Sequence, residues 1–95
     1  MKVALTDGAR EDLADIYAYY AQRNPNSADR IVGTILAAIN GLAQFPLIGR
    51  QGEVPTTRER IVTRYPYRIV YHIEGDTIEV WRVVHGAQQW PPTVD

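Results

Sequence analysis

The sequence predicts an α+β domain in which a two-helix antiparallel hairpin packs on one face of a mostly antiparallel sheet. Three observations predict this fold: two segments with apolar residues every three or four positions, a short connection between them, and a C-terminal third rich in β-branched and aromatic residues. The predicted order of elements is β-α-α-β-β-β. No repeat or shift in composition divides the chain, so we expect one domain over residues 1–95.

The first half of the chain predicts a short strand and both helices. Residues 3–5 are apolar, and Thr6 or Asp7 can cap the helix that follows. The apolar stripe of that helix comprises Ala9, Leu13, Ile16, Tyr17 and Tyr20. Asn24-Pro25-Asn26 ends it, and Ser27 can cap a second helix that Pro46 terminates. The second stripe comprises Ile31, Ile35, Ala38, Ile39, Leu42 and Phe45.

The second half predicts a loop and three strands. Residues 47–57 have no periodicity and contain Gly49, Gly52 and Pro55, which is typical of an ordered loop. Residues 58–64 predict a strand. Residues 67–73 and 77–84 flank Glu74-Gly75-Asp76 and predict a β-hairpin. The tail after Gly86 is too rich in proline for a further strand.

Alternation along the hairpin strands predicts which side chains face the helices. In the first hairpin strand these are Tyr67, Ile69, Tyr71 and Ile73, while the open face carries Arg68, Val70 and His72. In the last strand the helix side receives Ile78, Val80, Arg82 and Val84, and the open face receives Glu79, Trp81, Val83 and His85. An arginine against a helix layer requires a carboxylate partner. We therefore expect a structural ion pair of Arg82 with Asp12 or Asp15.

Two of the polar residues on these strands are candidates for function. Arg68 on the open face either contacts a target or pairs with Glu59 or Glu79. His85, at a strand end, is of the residue type suited to proton transfer near neutral pH. A single histidine at a strand end is more often structural, so both interpretations of His85 stand.

Composition excludes several classes of protein. The chain has no cysteine, which excludes disulfides and thiolate metal sites and suits a reducing cytoplasm. It has no apolar run of about 18 residues, so we expect no membrane span. The first twelve residues lack the apolar core of a signal peptide, and we expect a cytoplasmic protein. With no glycine-rich phosphate loop and no acid or histidine cluster at metal-binding spacing, no cofactor or metal is expected.

Several segments of the sequence, in their order and spacing, resemble the RelE/ParE superfamily of type II toxin–antitoxin toxins. They are DLADIYAYY at 12–20, FPLIGR at 45–50, TRE at 57–59, YPYRIVY at 65–71 and RVVHGAQQWP at 82–91. The resemblance spans nearly the whole chain and implies the fold predicted above. It further implies a bacterial growth-inhibiting toxin that a cognate antitoxin holds inactive, in a possible hetero-oligomer.

The resemblance leaves two mechanisms open. RelE-like toxins enter the ribosome and cleave mRNA with basic side chains on the open face of the sheet, whereas ParE-like toxins poison DNA gyrase. Carried over by position, Arg68 falls on the arginine that contacts the scissile phosphate in the nucleases. His85 falls near a C-terminal histidine that acts in some of them. Both residues are therefore catalytic only if this chain is a nuclease, and only then is it an enzyme.

Departures from the nuclease pattern favour the ParE-like interpretation. Arginines at 58, 60 and 64 stand where the nucleases have a lysine pair, and Trp90-Pro91-Pro92 stands where they often have a catalytic tyrosine or histidine. The net charge of −1 is also unlike a protein that neutralises many phosphates. A non-toxic homologue that binds an antitoxin remains a further alternative. The residues expected to contact a target or antitoxin are Arg58, Arg60, Arg64, Arg68, Trp81 and Trp90.

Overall fold

The computed structural model describes residues 1–86 and 88–91, and it confirms the α+β architecture. Two helices pack on a five-stranded sheet of order β1-β5-β4-β3-β2, in which only β1 and β5 run parallel. No helix within these residues is long and apolar enough to cross a membrane. The elements are β1 (Lys2–Leu5), α1 (Asp7–Ala21), α2 (Pro25–Gly41), β2 (Arg50–Gln51), β3 (Thr57–Val62), β4 (Tyr67–Glu74) and β5 (Thr77–His85).

The helix starts follow side-chain capping. The Thr6 hydroxyl accepts a hydrogen bond from the Ala9 amide at 3.1 Å and begins α1. Asn24, and not the predicted Ser27, caps α2: its side-chain oxygen accepts from the Asn26 and Ser27 amides. Pro25 occupies the first turn of α2, where a missing amide hydrogen costs nothing, so the helix begins earlier than expected.

The helix hairpin contacts the sheet through the predicted apolar stripes, with two corrections at their ends. Tyr17 is 41% exposed and its hydroxyl donates to Asp29, while Phe45 is 62% exposed. Phe45 lies outside the core because α2 already ends at Gly41. The shared core includes Leu13, Ile16, Ile35, Ile39, Ile69, Tyr71 and Val80.

A β-bulge in β5 changes the predicted faces of its last residues. Val70 lies opposite Arg82 and Tyr71 lies opposite Val80, so Trp81 is an extra residue on β5. Beyond the bulge, Val83 lies opposite Ile69 and belongs to the core.

The predicted faces of Val83 and Val84 are therefore exchanged. Val84 lies opposite Arg68 on the open face, and His85 lies opposite Tyr67 on the helix side.

A second difference from the predicted fold is β2, whose two residues add an edge strand within the segment predicted to be a loop.

Candidate functional site on the sheet

The open face, defined by Glu59, Arg68, Val70 and Val84, has a buried ion pair at its centre. The Arg68 guanidinium donates to the Glu59 carboxylate at 2.6 Å and to the Gln88 carbonyl at 2.5 Å. Only 12% of the Arg68 side chain and 1% of the Glu59 side chain are exposed. Arg68 is thus held between the buried carboxylate of Glu59 and the C-terminal segment, by which we mean residues 88–91. Pairing with Glu59 is one of the alternatives that the sequence left open.

His85 lies on the other side of the sheet from Arg68. His85 lies opposite Tyr67, and Arg68 lies opposite Val84. Because Tyr67 and Arg68 are neighbours on β4, their side chains, and those of their partners, face opposite sides of the sheet. The His85 ring meets the Tyr67 ring edge-on, with 5.5 Å between centroids. Burial is the larger cause of the raised pKa of the Tyr67 phenol, and a hydrogen bond with Tyr20 is the second. The two candidate nuclease residues therefore do not share one patch.

Arg82 contacts the first helix at the edge of the sheet. Its Nε and Nη2 donate to the two oxygens of Asp12 at 2.7 and 2.9 Å. Asp12 also accepts from the Val83 amide at 2.8 Å, beyond the point where β1 stops pairing with β5. The hydrogen bonds from the Arg82 guanidinium to Asp12 raise the pKa of Arg82. Asp15 lines the same cleft, but Asp12 is the carboxylate that Arg82 contacts.

The Arg82 side chain is not enclosed beneath the helices as strict alternation predicts. The bulge sets it opposite Val70, and 32% of the side chain stays exposed. Its guanidinium carbon lies 5.3 Å from the centroid of the Trp90 ring, which brings the C-terminal segment against the Arg82–Asp12 pair.

The arginines of the β3 region are distributed over two faces. Alternation places Arg58 and Arg60 on the helix side with Val62, away from Arg68. Arg58 donates to the Gly49 carbonyl at 2.8 Å and so holds the loop before β2. Arg64 is exposed beyond the end of β3. Arg64 lines the same depression as Arg68, so it is Arg58 and Arg60 that lie apart from Arg68.

Trp81 belongs to a polar cluster near the hairpin turn. Its indole Nε1 donates to Glu79 at 2.7 Å, and its ring lies 5.5 Å from that of His72. His72 lies 3.0 Å from the Thr56 carbonyl and 2.8 Å from Glu74, and these contacts raise the pKa of the imidazole. Thr56 has a φ of 73°, a conformation that costs energy for a threonine, so His72 contacts a strained loop.

An exposed apolar surface was not predicted from the sequence. Phe45, Leu47, Ile48 and Ile61 are each more than half exposed. The signal in the sequence is the FPLI segment at 45–48, of which Phe45 falls in the predicted second apolar stripe and Leu47 and Ile48 fall in the predicted loop. Among the residues that the structure describes, no three acidic or histidine side chains come together as a metal site would require.

Comparison with protein families and curated proteins agrees with this fold. Residues 3–90 match the family described as the ParE toxin of the type II toxin–antitoxin system parDE. The putative toxin Y4kP of Sinorhizobium fredii is 38% identical, over 95% of this chain and 93% of the relative. Toxin RelE1 of Caulobacter vibrioides is 31% identical, over 85% of this chain and 88% of the relative.

Solved structures show the same similarity. A chain from the chromosomal ParDE toxin–antitoxin system of P. aeruginosa superposes with a TM-score of 0.82 at 27% identity, covering 90% of this chain and 95% of that one. A chain from the RelBE2 toxin–antitoxin complex of Mycobacterium tuberculosis gives 0.63 at 27% identity, covering 88% and 95%. The chain therefore belongs to the ParE toxin family of type II toxin–antitoxin systems, within the RelE/ParE superfamily.

Proposed function

We propose that this chain is a cytoplasmic toxin that inhibits growth by poisoning DNA gyrase until its cognate antitoxin binds. The observation that carries the proposal is the pairing of Arg68 with the buried carboxylate of Glu59. A ribonuclease requires a base, an acid and a phosphate clamp in one small patch. Here the arginine that would clamp the phosphate is paired with a buried carboxylate, and His85 lies on the other side of the sheet.

The negative charge of Glu59 also disfavours contact between Arg68 and a phosphate. A phosphate that approached Arg68 would meet the Glu59 carboxylate 2.6 Å from the guanidinium, and like charges repel strongly where water is excluded. Releasing Glu59 from Arg68 would leave this buried carboxylate with two longer contacts, to the Arg50 guanidinium at 3.8 Å and the Glu53 amide at 3.5 Å, which is costly. The ion pair therefore favours a structural role for Arg68 over contact with a phosphate.

The exposed surface supports a protein target and a protein inhibitor. Phe45, Leu47, Ile48 and Ile61 present apolar area beside exposed arginines, a composition typical of protein-binding surfaces. We infer that a small acidic antitoxin lays an amphipathic helix or extended tail across these surfaces and forms a hetero-oligomer with the toxin. Pairing of arginines with carboxylates would make its association rate depend on salt.

Ribosome-dependent cleavage of mRNA is the second candidate function. Two relatives from Caulobacter vibrioides, named toxins RelE1 and RelE2, support it. In that case Arg68 would have to leave Glu59 on the ribosome and contact the scissile phosphate, and His85 would transfer a proton.

A third candidate, from another class, is a non-toxic homologue that only binds an antitoxin. The Arg68–Glu59 pair supports it as well, because the pair accounts for Arg68 without any target.

Purified components distinguish these functions. The chain is incubated with DNA gyrase, ATP and supercoiled plasmid, and in parallel with ribosomes translating a defined mRNA. We expect cleaved plasmid DNA trapped with gyrase, intact mRNA, and loss of the DNA cleavage when the antitoxin is added first. Cleaved mRNA with unaffected gyrase would support the nuclease instead, and no effect in either reaction would support the non-toxic homologue.

A further inference from the structure

Residues 45–48, which we call the apolar loop, expose three large apolar side chains. Phe45, Leu47 and Ile48 are each more than half exposed, and they line a depression of about 420 Å³. An unrestrained loop would turn such side chains against the protein, because burial of apolar surface is favourable. The backbone of the apolar loop must therefore be held in a form that keeps them outward.

The buried hydroxyl of Tyr71 holds the apolar loop against the core. Tyr71 lies on β4 with no exposed surface, and its hydroxyl donates to the Pro46 carbonyl at 2.7 Å and accepts from the Gly49 amide at 2.9 Å. One hydroxyl thus fastens the chain on both sides of Leu47 and Ile48. Because the ring is fixed in the core, these two bonds position the loop relative to the sheet.

Two further features support this attachment. A Cβ at Gly49 would lie 2.7 Å from the Tyr71 hydroxyl and 3.0 Å from the backbone of Glu59, so glycine is the residue that permits so close an approach. Arg58 also donates to the Gly49 carbonyl at 2.8 Å. The end of the apolar loop is therefore bonded through both its amide and its carbonyl.

These hydrogen bonds determine how the apolar loop can bind a partner. The Ile48 amide donates to the Phe45 carbonyl within the loop, and Tyr71 occupies the Pro46 carbonyl and the Gly49 amide. Few backbone groups remain for an incoming strand, whereas the apolar side chains are exposed. Contact through side chains alone is the mode in which an amphipathic helix packs.

The charge beside the apolar loop selects the occupant. Arg50 and Arg60 line a depression of about 260 Å³ together with Ile48, and 65% of the Arg50 side chain is exposed. The carboxylate in that depression, Glu59, is buried against Arg68. A second copy of this chain would bring arginines together, whereas carboxylates on a partner complement them.

We propose that Tyr71 is a positioning residue for antitoxin binding, which holds the apolar loop ready for the apolar face of an antitoxin helix flanked by carboxylates. Tyr71 does not touch the partner. It raises the affinity because a loop already held in its binding form loses less conformational freedom in the complex. The identity of the occupant rests on the proposed antitoxin partner, whereas the attachment of the loop is a feature of the fold.

Tyr71→Phe removes the hydroxyl and retains the ring in the core. Tyr67→Phe is the matched control, because Tyr67 is buried on the same strand and its hydroxyl donates to Tyr20 instead of the apolar loop. The dissociation constant of each purified full chain is measured with the full-length cognate antitoxin. We expect Tyr71→Phe to weaken binding at least about tenfold and Tyr67→Phe less than about threefold.

The double variant Leu47→Ala with Ile48→Ala separates positioning from a structural role. It removes side chains that Tyr71 positions, so adding Tyr71→Phe to it should weaken binding further by less than about threefold. Amide hydrogen exchange of the free chain gives a second readout. We expect Tyr71→Phe to accelerate exchange of the Gly49 amide more than exchange of the β5 amides.

Equal affinities of Tyr71→Phe and the parent would overturn the positioning role while leaving the antitoxin as partner. An equal loss in the parent and the double-variant background would also overturn it, since the hydroxyl would then not act through the apolar loop. Failure of the parent to bind the antitoxin would overturn the proposed partner, and the role of Tyr71 in binding with it. Should Tyr71→Phe not fold, exchange of the Gly49 amide in the parent decides. We expect slow exchange, and rapid exchange would overturn the proposal.

Discussion

Removing the Asp12 carboxylate tests how the first helix is joined to β5. Asp12→Ala deletes three hydrogen bonds at once, two from the Arg82 guanidinium at 2.7 and 2.9 Å and one from the Val83 amide at 2.8 Å. The substitution also leaves Arg82 without its carboxylate and the amide of a residue that is only 4% exposed without an acceptor.

The expected destabilisation follows from these contacts. A hydrogen bond to a charged group contributes about 1.5–3 kcal/mol, and a buried donor left without a partner costs about 1–3 kcal/mol. Because 32% of the Arg82 side chain is exposed, water replaces part of its loss, so the terms do not add fully. We expect the free energy of unfolding to fall by about 3 kcal/mol. For a domain of this length that lowers the melting temperature by at least about 10 °C.

Urea unfolding and thermal melting of the purified chain measure this effect. Asp15→Ala is the matched control, since Asp15 lies one turn further along the same helix, lines the same cleft and is exposed. It should change the free energy of unfolding by less than about 0.5 kcal/mol. If Asp12→Ala were no more destabilising than Asp15→Ala, the Arg82–Asp12 contact would not join the helix to the sheet.

Two other substitutions test the remaining polar contacts. Glu59→Gln should lower the free energy of unfolding by about 3–5 kcal/mol, because it leaves Arg68 without its buried counter-charge. Glu53 is exposed, so Glu53→Gln is the control. Equal stability of the two variants would contradict a stabilising role for the Arg68–Glu59 pair. The hydrogen bond with Thr56 raises the pKa of His72 above 6.5, so its stabilisation is complete below pH 6.5 and is lost as pH rises through the folded pKa. Melting curves should therefore separate the parent from His72→Gln below pH 6.5 and converge at higher pH, whereas a separation independent of pH would contradict this.

The helices and the hairpin were predictable because their signals are local. Apolar spacing at Leu13 and Ile35 reports one face of a helix, and the β-branched runs on either side of Gly75 report a hairpin. Gly75 has a φ of 60°, which the two-residue turn requires and glycine tolerates. These features depend on residues close together in the chain.

The site was less predictable because it depends on a β-bulge and on contacts between distant residues, neither of which leaves a local pattern in the sequence. One extra residue at Trp81 reverses the alternation of β5, and that reversal moved Val83 into the core and His85 to the helix side. Similarly, the contact of Arg68 with Gln88 requires the C-terminal segment to return to the sheet, which no periodicity indicates. Exposure of Phe45 followed from a helix that ended four residues earlier than its apolar stripe.

We propose that this toxin poisons gyrase and does not need acid–base chemistry at His85. Expressing the parent chain and His85→Gln in cells tests this most directly. DNA damage response and mRNA integrity are followed in the same cultures, with purified His85→Gln melted to verify that it folds. We expect both chains to arrest growth and induce the DNA damage response while mRNA stays intact. Cleavage of mRNA within ribosomes by the parent, lost together with growth arrest in a folded His85→Gln chain, would contradict the claim.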